Sequence, residues 1–389
     1  MPSLNIDLQQ SRDAFGLAEV SSPQVDFDAQ LTYDAQPLVY ERVENGGLIT
    51  YDGTDGILNI SNNNAVSTPF VQTFRYFPYR PGLGKKVFIT FNFGGAAATA
   101  SKYAQFGDEF NAMGLRLNSD NTLEGYINTT TTEGDQVSNP IDIATLGIDV
   151  NAEQIMIIQF EALYVGSVQI GLQIGMKIVW VAVFDNANNT NRPYIRTANL
   201  PVRVGINSTG TSPASMVFNC CSVQNAGGGD FVTGYDFQAF AQTTAGNETA
   251  THALSVRPKQ LFKGRENRVD FTDFSVTITV LGTRPVRWRL VLGQSLTAPV
   301  YSDVNANYSA MENVQNGTLN GGPEIIIDGG TLPATGQSRT TTLKMIPFKY
   351  PITLDAAGNS RDMGTLTLIV EGVGGTSNVE AYINFREVR

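Results

Sequence analysis

Histidine and cysteine are almost missing from this sequence. A chain of 389 residues carries one histidine, His252, and two cysteines, the neighbours Cys220 and Cys221. Histidine is the usual proton shuttle near neutral pH and the commonest metal ligand. One copy excludes a His-rich zinc, copper or iron centre, and two thiols exclude a four-thiolate cage, so no metal or cofactor is expected. Adjacent cysteines make a poor disulfide, because an ordinary bridge needs well-separated Cα atoms. Both therefore read as small, buried or half-buried residues near a strand end, in a chain that matures in a reducing cytoplasm. Charge is thin too, at 16% with a net −10. An acidic surface is repelled by phosphate backbones, which argues against a nucleic-acid partner. Long apolar runs are absent. The nearest, Val165 to Phe184, is broken by Gln169, Gln173, Lys177 and several glycines, and reads as a buried strand pair and not a membrane span. The opening Met-Pro-Ser-Leu-Asn lacks the charged and apolar regions of a signal peptide. Helical periodicity is scarce as well, and Ser101 to Met113 is the one fair helix candidate in the first half.

What the chain does have is short alternating runs separated by turn residues. Residues 1–36 are polar and weakly periodic, and are expected to form an extended arm for docking or assembly, with Val25-Asp-Phe-Asp and Leu31-Thr-Tyr as its stickiest points. From Pro37 onward come Leu38-Val-Tyr-Glu-Arg-Val, Gly47-Leu-Ile-Thr-Tyr, Ile57-Leu-Asn-Ile, Lys86-Val-Phe-Ile-Thr-Phe-Asn-Phe and others, punctuated by Asn45-Gly46 and Asp52-Gly53. Gly227-Gly228-Gly229 reads as a hinge or sharp loop, after which a second strand series begins. In it Phe274-Ser-Val-Thr-Ile-Thr-Val alternates strictly, as a strand with one buried face does. Many short strands at near-even spacing predict an all-β chain: two β-sandwich domains of jelly-roll or Ig-like type, 37–230 and 231–389, behind the arm. A single core is not expected at this length, because cores stop growing near about 250–300 residues.

Catalytic patterns are hard to find. His252 lies in Gly246-Asn-Glu-Thr-Ala-Thr-His, a loop-like stretch, and no Gly-x-Ser-x-Gly elbow exists to partner it. Glu153 and Glu161 flank one strand but match no glycosidase motif. Asp52-Gly-Thr-Asp-Gly and Asp185-Asn-Ala-Asn-Asn could offer oxygens to calcium, but neither has EF-hand spacing, and turn chemistry accounts for both. Gly82-Leu-Gly-Lys-Lys lacks the spacing of a phosphate loop and opens a strand. The expectation is therefore no catalysis and no catalytic residue.

The segment Phe74-Arg-Tyr-Phe-Pro-Tyr-Arg-Pro-Gly is richer. Its rings and guanidinium groups can form cation–π pairs, and Phe74, Arg75, Tyr76, Tyr79 and Arg80 are a candidate interface, against the plainer reading of an edge strand with alternate aromatics in the core. The same segment resembles a stretch found in a broad family of tailed-bacteriophage virion proteins, many from aquatic phages. Asp185-Asn-Ala-Asn-Asn-Thr-Asn-Arg-Pro-Tyr-Ile-Arg-Thr-Ala-Asn-Leu-Pro-Val-Arg-Val and Asn219-Cys-Cys-Ser-Val-Gln-Asn-Ala-Gly-Gly are similar to further blocks of that family, with Ala226 where an acid is more typical. Pro285-Val-Arg-Trp-Arg-Leu-Val-Leu-Gly, Asp303-Val-Asn-Ala-Asn-Tyr-Ser, Tyr350-Pro-Ile-Thr-Leu-Asp-Ala-Ala-Gly and Ala381-Tyr-Ile-Asn-Phe-Arg-Glu-Val-Arg extend the likeness over residues 67–389.

The resemblance implies a non-enzymatic virion structural protein with a lectin-like jelly roll, assembled in the host cytoplasm: a capsid decoration or a tail or fibre component. Its implied partners are further copies of itself, most simply a trimer, and other virion proteins of capsid or tail. A second expectation is a receptor-binding tail fibre or tailspike-like protein that recognises host-surface glycan through loops such as Asn128-Thr-Thr-Thr-Thr-Glu-Gly and Asn186-Ala-Asn-Asn-Thr-Asn.

Overall fold

A computed structural model describes residues 23–79, 81–161, 164–197, 199–225, 234–321, 324–334, 340–342 and 351–389. The chain is all-β, as its alternating runs predict, and divides into two units, Met1–Asp230 and Phe231–Arg389. Gly227-Gly228-Gly229 falls outside the described residues.

In the first unit the strands are β1 (Gln24–Gln30), β2 (Tyr40–Val43), β3 (Leu48–Asp52), β4 (Ile57–Ser61), β5 (Phe70–Thr73), β6 (Lys85–Asn92), β7 (Ala100–Gly107) and β8 (Ala112–Leu117). They continue with β9 (Leu123–Asn128), β10 (Gln136–Val137), β11 (Gln154–Phe160), β12 (Val168–Ile174), β13 (Lys177–Phe184), β14 (Val202–Ser208) and β15 (Ser215–Asn225). One antiparallel sheet runs β13-β12-β11-β6-β15-β4-β3, and the other runs β10-β9-β8-β7-β14-β5-β2. Alternation sets the inward faces. Val87, Ile89 and Phe91 of β6 share a core with Ala104 and Phe106 of β7, Leu115 of β8, Ile127 of β9 and Val204 of β14. Each of these larger side chains, Ala104 aside, contributes about 1.5–3 kcal/mol when fully buried. The run Val165 to Phe184 is the expected strand pair, with Ile174 opposite Lys177 across a two-residue turn at Gly175 and Met176. Cys220 and Cys221 are free and lie within β15. Successive strand residues point to opposite faces, so Cys221 is buried while Cys220 is only partly covered.

Two expectations change here. The helix foreseen over Ser101 to Met113 is β7, a tight turn and the start of β8. The arm foreseen over 1–36 is built into the sandwich from Gln24. β4 pairs with the first part of β15 (Ser215–Phe218), and β1 takes up the same edge over Cys220–Asn225. Phe27 packs against Phe77 with ring centroids 4.9 Å apart. Asp26 lies 3.6 Å from both Arg75 Nη2 and Lys85 Nζ, and Leu31 is buried.

The second unit has a four-stranded sheet in the order Tyr235–Ala245, Ser377–Val388, Asp270–Val280, Thr340–Thr342. Its six-stranded sheet runs Ser302–Asp303, Met311–Gln315, Thr251–Pro258, Leu366–Gly372, Val286–Leu292, Ile325–Leu332. Phe274, Val276 and Ile278 of the strictly alternating segment point into a separate core with Leu254, Leu290 and Leu368.

Candidate functional site

The outward face of the sheet β10-β9-β8-β7-β14-β5-β2 should be an ordinary wet surface, yet several of its side chains are buried. Register explains how. One row across the sheet reads Phe70, Gly205, Tyr103, Arg116, Glu124, and the next reads Gln72, Arg203, Gln105, Gly114, Tyr126. A glycine stands between large neighbours in each row. A Cβ at Gly205 would lie 2.6 Å from Tyr103 Oη and 2.7 Å from Phe70 Cβ, so only glycine lets the Tyr103 ring settle across the sheet. Tyr103 and Tyr126 form a small apolar cluster with Ala112, apart from the main core.

Around these rows opens a cleft of about 270 Å³, walled by Asn45, Thr68, Asp108, Glu109, Asn128 and Asn207 in addition to Phe70, Tyr103, Gln105, Arg116, Tyr126 and Arg203. Its polar groups are held in fixed orientations. The Tyr126 hydroxyl donates to Gln105 Oε1. The Gln105 amide donates in turn to the carbonyls of Gly107 at 3.1 Å and Asp108 at 2.9 Å. Arg116 pairs with Glu124 and lies 5.2 Å from the centre of the Tyr126 ring. Arg203 Nε donates to Gln72 Oε1 at 2.7 Å, and its guanidinium carbon lies 4.2 Å from the centre of the Phe70 ring. Asp108 Oδ1 accepts the N–H groups of Phe110 and Asn111, both at 2.9 Å, which closes the turn that presents exposed Glu109.

Burial pushes the Tyr103 phenol up to about 12, against a smaller downward pull from Arg203. Burial raises Tyr126 further still. Both phenols stay protonated through the physiological range and serve as hydroxyl donors and acceptors, not as nucleophiles or bases. No histidine, cysteine or serine lines the cleft, so it holds no Ser–His or Cys–His pair for acyl transfer. The carboxylates Asp108 and Glu109 are its acid–base groups.

The residues singled out in the sequence lie elsewhere. Phe74 and Tyr76 are buried, Tyr79 is half-buried and stacks 6.2 Å from Phe160, and Arg75 bonds to Asp26 of β1. Arg80 lies outside the described residues. The expected interface segment is thus an internal tie between β1 and the body of the unit. Glu153 and Glu161 stand at opposite ends of β11, away from the cleft. Of the two Asn/Thr loops, the first brings Asn128 to the cleft, whereas Asn186 of the second is buried, accepting from Gln136 at 2.9 Å and donating to the Gly166 carbonyl at 3.2 Å. A larger hollow of about 550 Å³ beside β13 has Asp142 as its carboxylate. Asp142 is occupied as the N-cap of the helical turn Ile143–Leu146.

No family model matches the chain, and no curated protein matches it. Solved structures do. A glycosyl hydrolase family protein from Mycobacterium fortuitum is 11% identical, with 51% of this chain and 99% of that chain covered and a TM-score of 0.37. A beta-1,3-glucanase from Mycobacterium marinum is 11% identical over 52% of this chain and 100% of that one, with a TM-score of 0.37. The Crh5 transglycosylase is 11% identical over 53% and 89%, with a TM-score of 0.36. Those names correct the expectation of a non-enzymatic virion structural protein, whether decoration, tail component or receptor-binding fibre. The named structures are carbohydrate-processing enzymes, and none carries a virion name. At this identity and TM-score no residue role passes across, and the chemistry rests on the cleft's own side chains.

Proposed function

We propose that the chain is a carbohydrate-active protein that holds a saccharide in the cleft over β5, β14, β7, β8 and β9. One observation carries the reading: planar amides, neutral phenols, a half-buried Phe70 and two carboxylates converge on one hollowed sheet face. Sugars present alternating hydroxyls and C–H faces. Asn45, Asn128 and Asn207 can exchange hydrogen bonds with the hydroxyls in either sense, while the rings of Phe70 and Tyr103 receive the C–H faces. The phenol of Tyr126 and the amide of Gln105 beneath it are already held, so the cleft floor loses little freedom on binding. Exposed Glu109 is the carboxylate free to exchange protons with a glycosidic oxygen, and Asp108 beside it is restrained by its turn.

The test incubates the purified chain with a panel of neutral and acidic polysaccharides and measures both retention and new reducing ends. Release is expected to fall by about 10²–10⁴ in Glu109→Gln, the range for losing one general acid or base, with retention kept. Retention is expected to be lost in Tyr103→Ala. Retention of every polysaccharide by the Tyr103→Ala variant at the native level would remove the cleft from consideration.

A further inference from the structure

The most buried cation of the cleft has no anion. Arg203 is 6% exposed, and its neighbours are the Gln72 amide, the Tyr103 hydroxyl and the Phe70 ring, all of them neutral. Other arginines show what is missing. Arg116, Arg257, Arg268 and Arg389, all less buried, each stand against a carboxylate: Glu124, Glu312, Glu266 and Glu387. Asp108 and Glu109 share the cleft with Arg203, but among the described residues neither comes within ion-pair distance of it. A desolvated guanidinium without a counter-ion is costly, and a carboxylate or sulfate that arrives with a ligand recovers the cost as charge-assisted hydrogen bonds. The fork geometry of arginine suits either group. Its position also matters, because Arg203 sits on β14 between Phe70 and Tyr103 and lines the cleft floor.

We infer that the saccharide is acidic and that Arg203 binds its anionic substituent, a uronate carboxylate or a sulfate ester. The inference rests on the saccharide reading of the cleft and adds the charge class of the ligand. The surrounding chain is acidic, with net charge −10, so an anionic polymer is repelled by most of the surface and Arg203 supplies the local exception.

The experiment measures retention of the full chain on three probes: polygalacturonate, a sulfated galactan and a neutral β-glucan. At least one acidic probe is expected to bind more tightly than the neutral one, and the stronger of the two identifies carboxylate or sulfate. Arg203→Gln should weaken that binding about ten- to a hundredfold, the worth of one charged hydrogen-bonded contact, and Arg203→Lys should recover part of it. Added salt should weaken acidic but not neutral binding in the unaltered protein, a readout that does not depend on the folding of any variant. Equal binding of all three probes, or preference for the neutral one, overturns the inference and leaves the cleft reading standing. Binding of none overturns both.

Discussion

At the scale of single residues, the protein handles buried charge in two contrasting ways. Arg203 lacks an anion, whereas Lys102 on β7 has its ammonium ringed by backbone oxygens. Its Nζ donates to the carbonyls of Phe93 at 2.6 Å, Gly95 at 2.7 Å and Ser215 at 2.7 Å, with Gly94 at 3.5 Å. Burial pulls the amine down to about 8, which still leaves it largely protonated at neutral pH. Those carbonyls come from the β6–β7 connection and the first residue of β15, so one side chain ties the two sheets together. Lys102→Met keeps the length of the stem and removes the donors. Several carbonyls are then left without partners in the interior, at about 1–3 kcal/mol for each that water cannot reach. The expected outcome is a loss of at least about 3 kcal/mol in denaturant unfolding. A change below about 0.5 kcal/mol, the usual size for a surface substitution, would mean the cage is solvated.

At the scale of elements, the instructive one is β1. Its sequence, Gln24-Val-Asp-Phe-Asp-Ala-Gln, is short and acidic, and its single large apolar ring gives little periodicity to read. Pairing with β15, about two hundred residues later in the chain, is what makes it a strand, and such pairing leaves no local trace. Removal of residues 1–22 leaves β1 in place, while removal of 1–31 strips the edge of β15, the Phe27–Phe77 contact and the carboxylate beside Lys85. The longer truncation is expected to unfold, in the first unit, at a sharply lower midpoint than the shorter one. Equal midpoints for the two truncations would show that β1 is dispensable. The misread helix has a related cause. On β7 both faces are covered, Ala104 and Phe106 by the core and Tyr103 and Gln105 by the cleft, so the period of two disappears from the hydropathy. Strands with one wet face, such as β6, were legible for the opposite reason. The cleft was illegible in the same way. Its floor is built from alternate positions of five strands joined by long-range register, and a pair such as Gly205 and Tyr103 has no signature at any sequence spacing.

At the scale of the whole molecule, the scarcity of histidine becomes a statement about pH. With one histidine in the chain, His252 is the sole side chain whose ordinary pKa lies between the carboxylates and the thiols. It is buried in the second unit. Nδ1 accepts the Gly317 N–H at 2.7 Å, which places the ring proton on Nε2, facing Ser255 Oγ at 2.8 Å. Ser255 Oγ in turn shares a hydrogen bond with Thr367 Oγ1 at 2.7 Å. The imidazole therefore donates to the serine and does not activate it, which makes the trio a structural relay and not a hydrolytic pair. A proton on Nδ1 would point at the Gly317 N–H, and burial also opposes the cation, lowering the pKa from 6.5 to about 4. The unfolded chain takes up this proton below about 6.5 and the folded chain only near 4, so the stabilisation is complete above 6.5 and is lost as pH falls toward 4. The slope is about 1.4 kcal/mol per pH unit, and the total about 3 kcal/mol. Carboxylates add their own slope below about 5, so the clean window is pH 6.5 to 5. Denaturant unfolding across that window is expected to show stability falling with acid in the native sequence and a nearly flat profile in His252→Gln. Parallel profiles for the two proteins would mean that the imidazole is protonated in the folded state and that its bond from Gly317 is not formed.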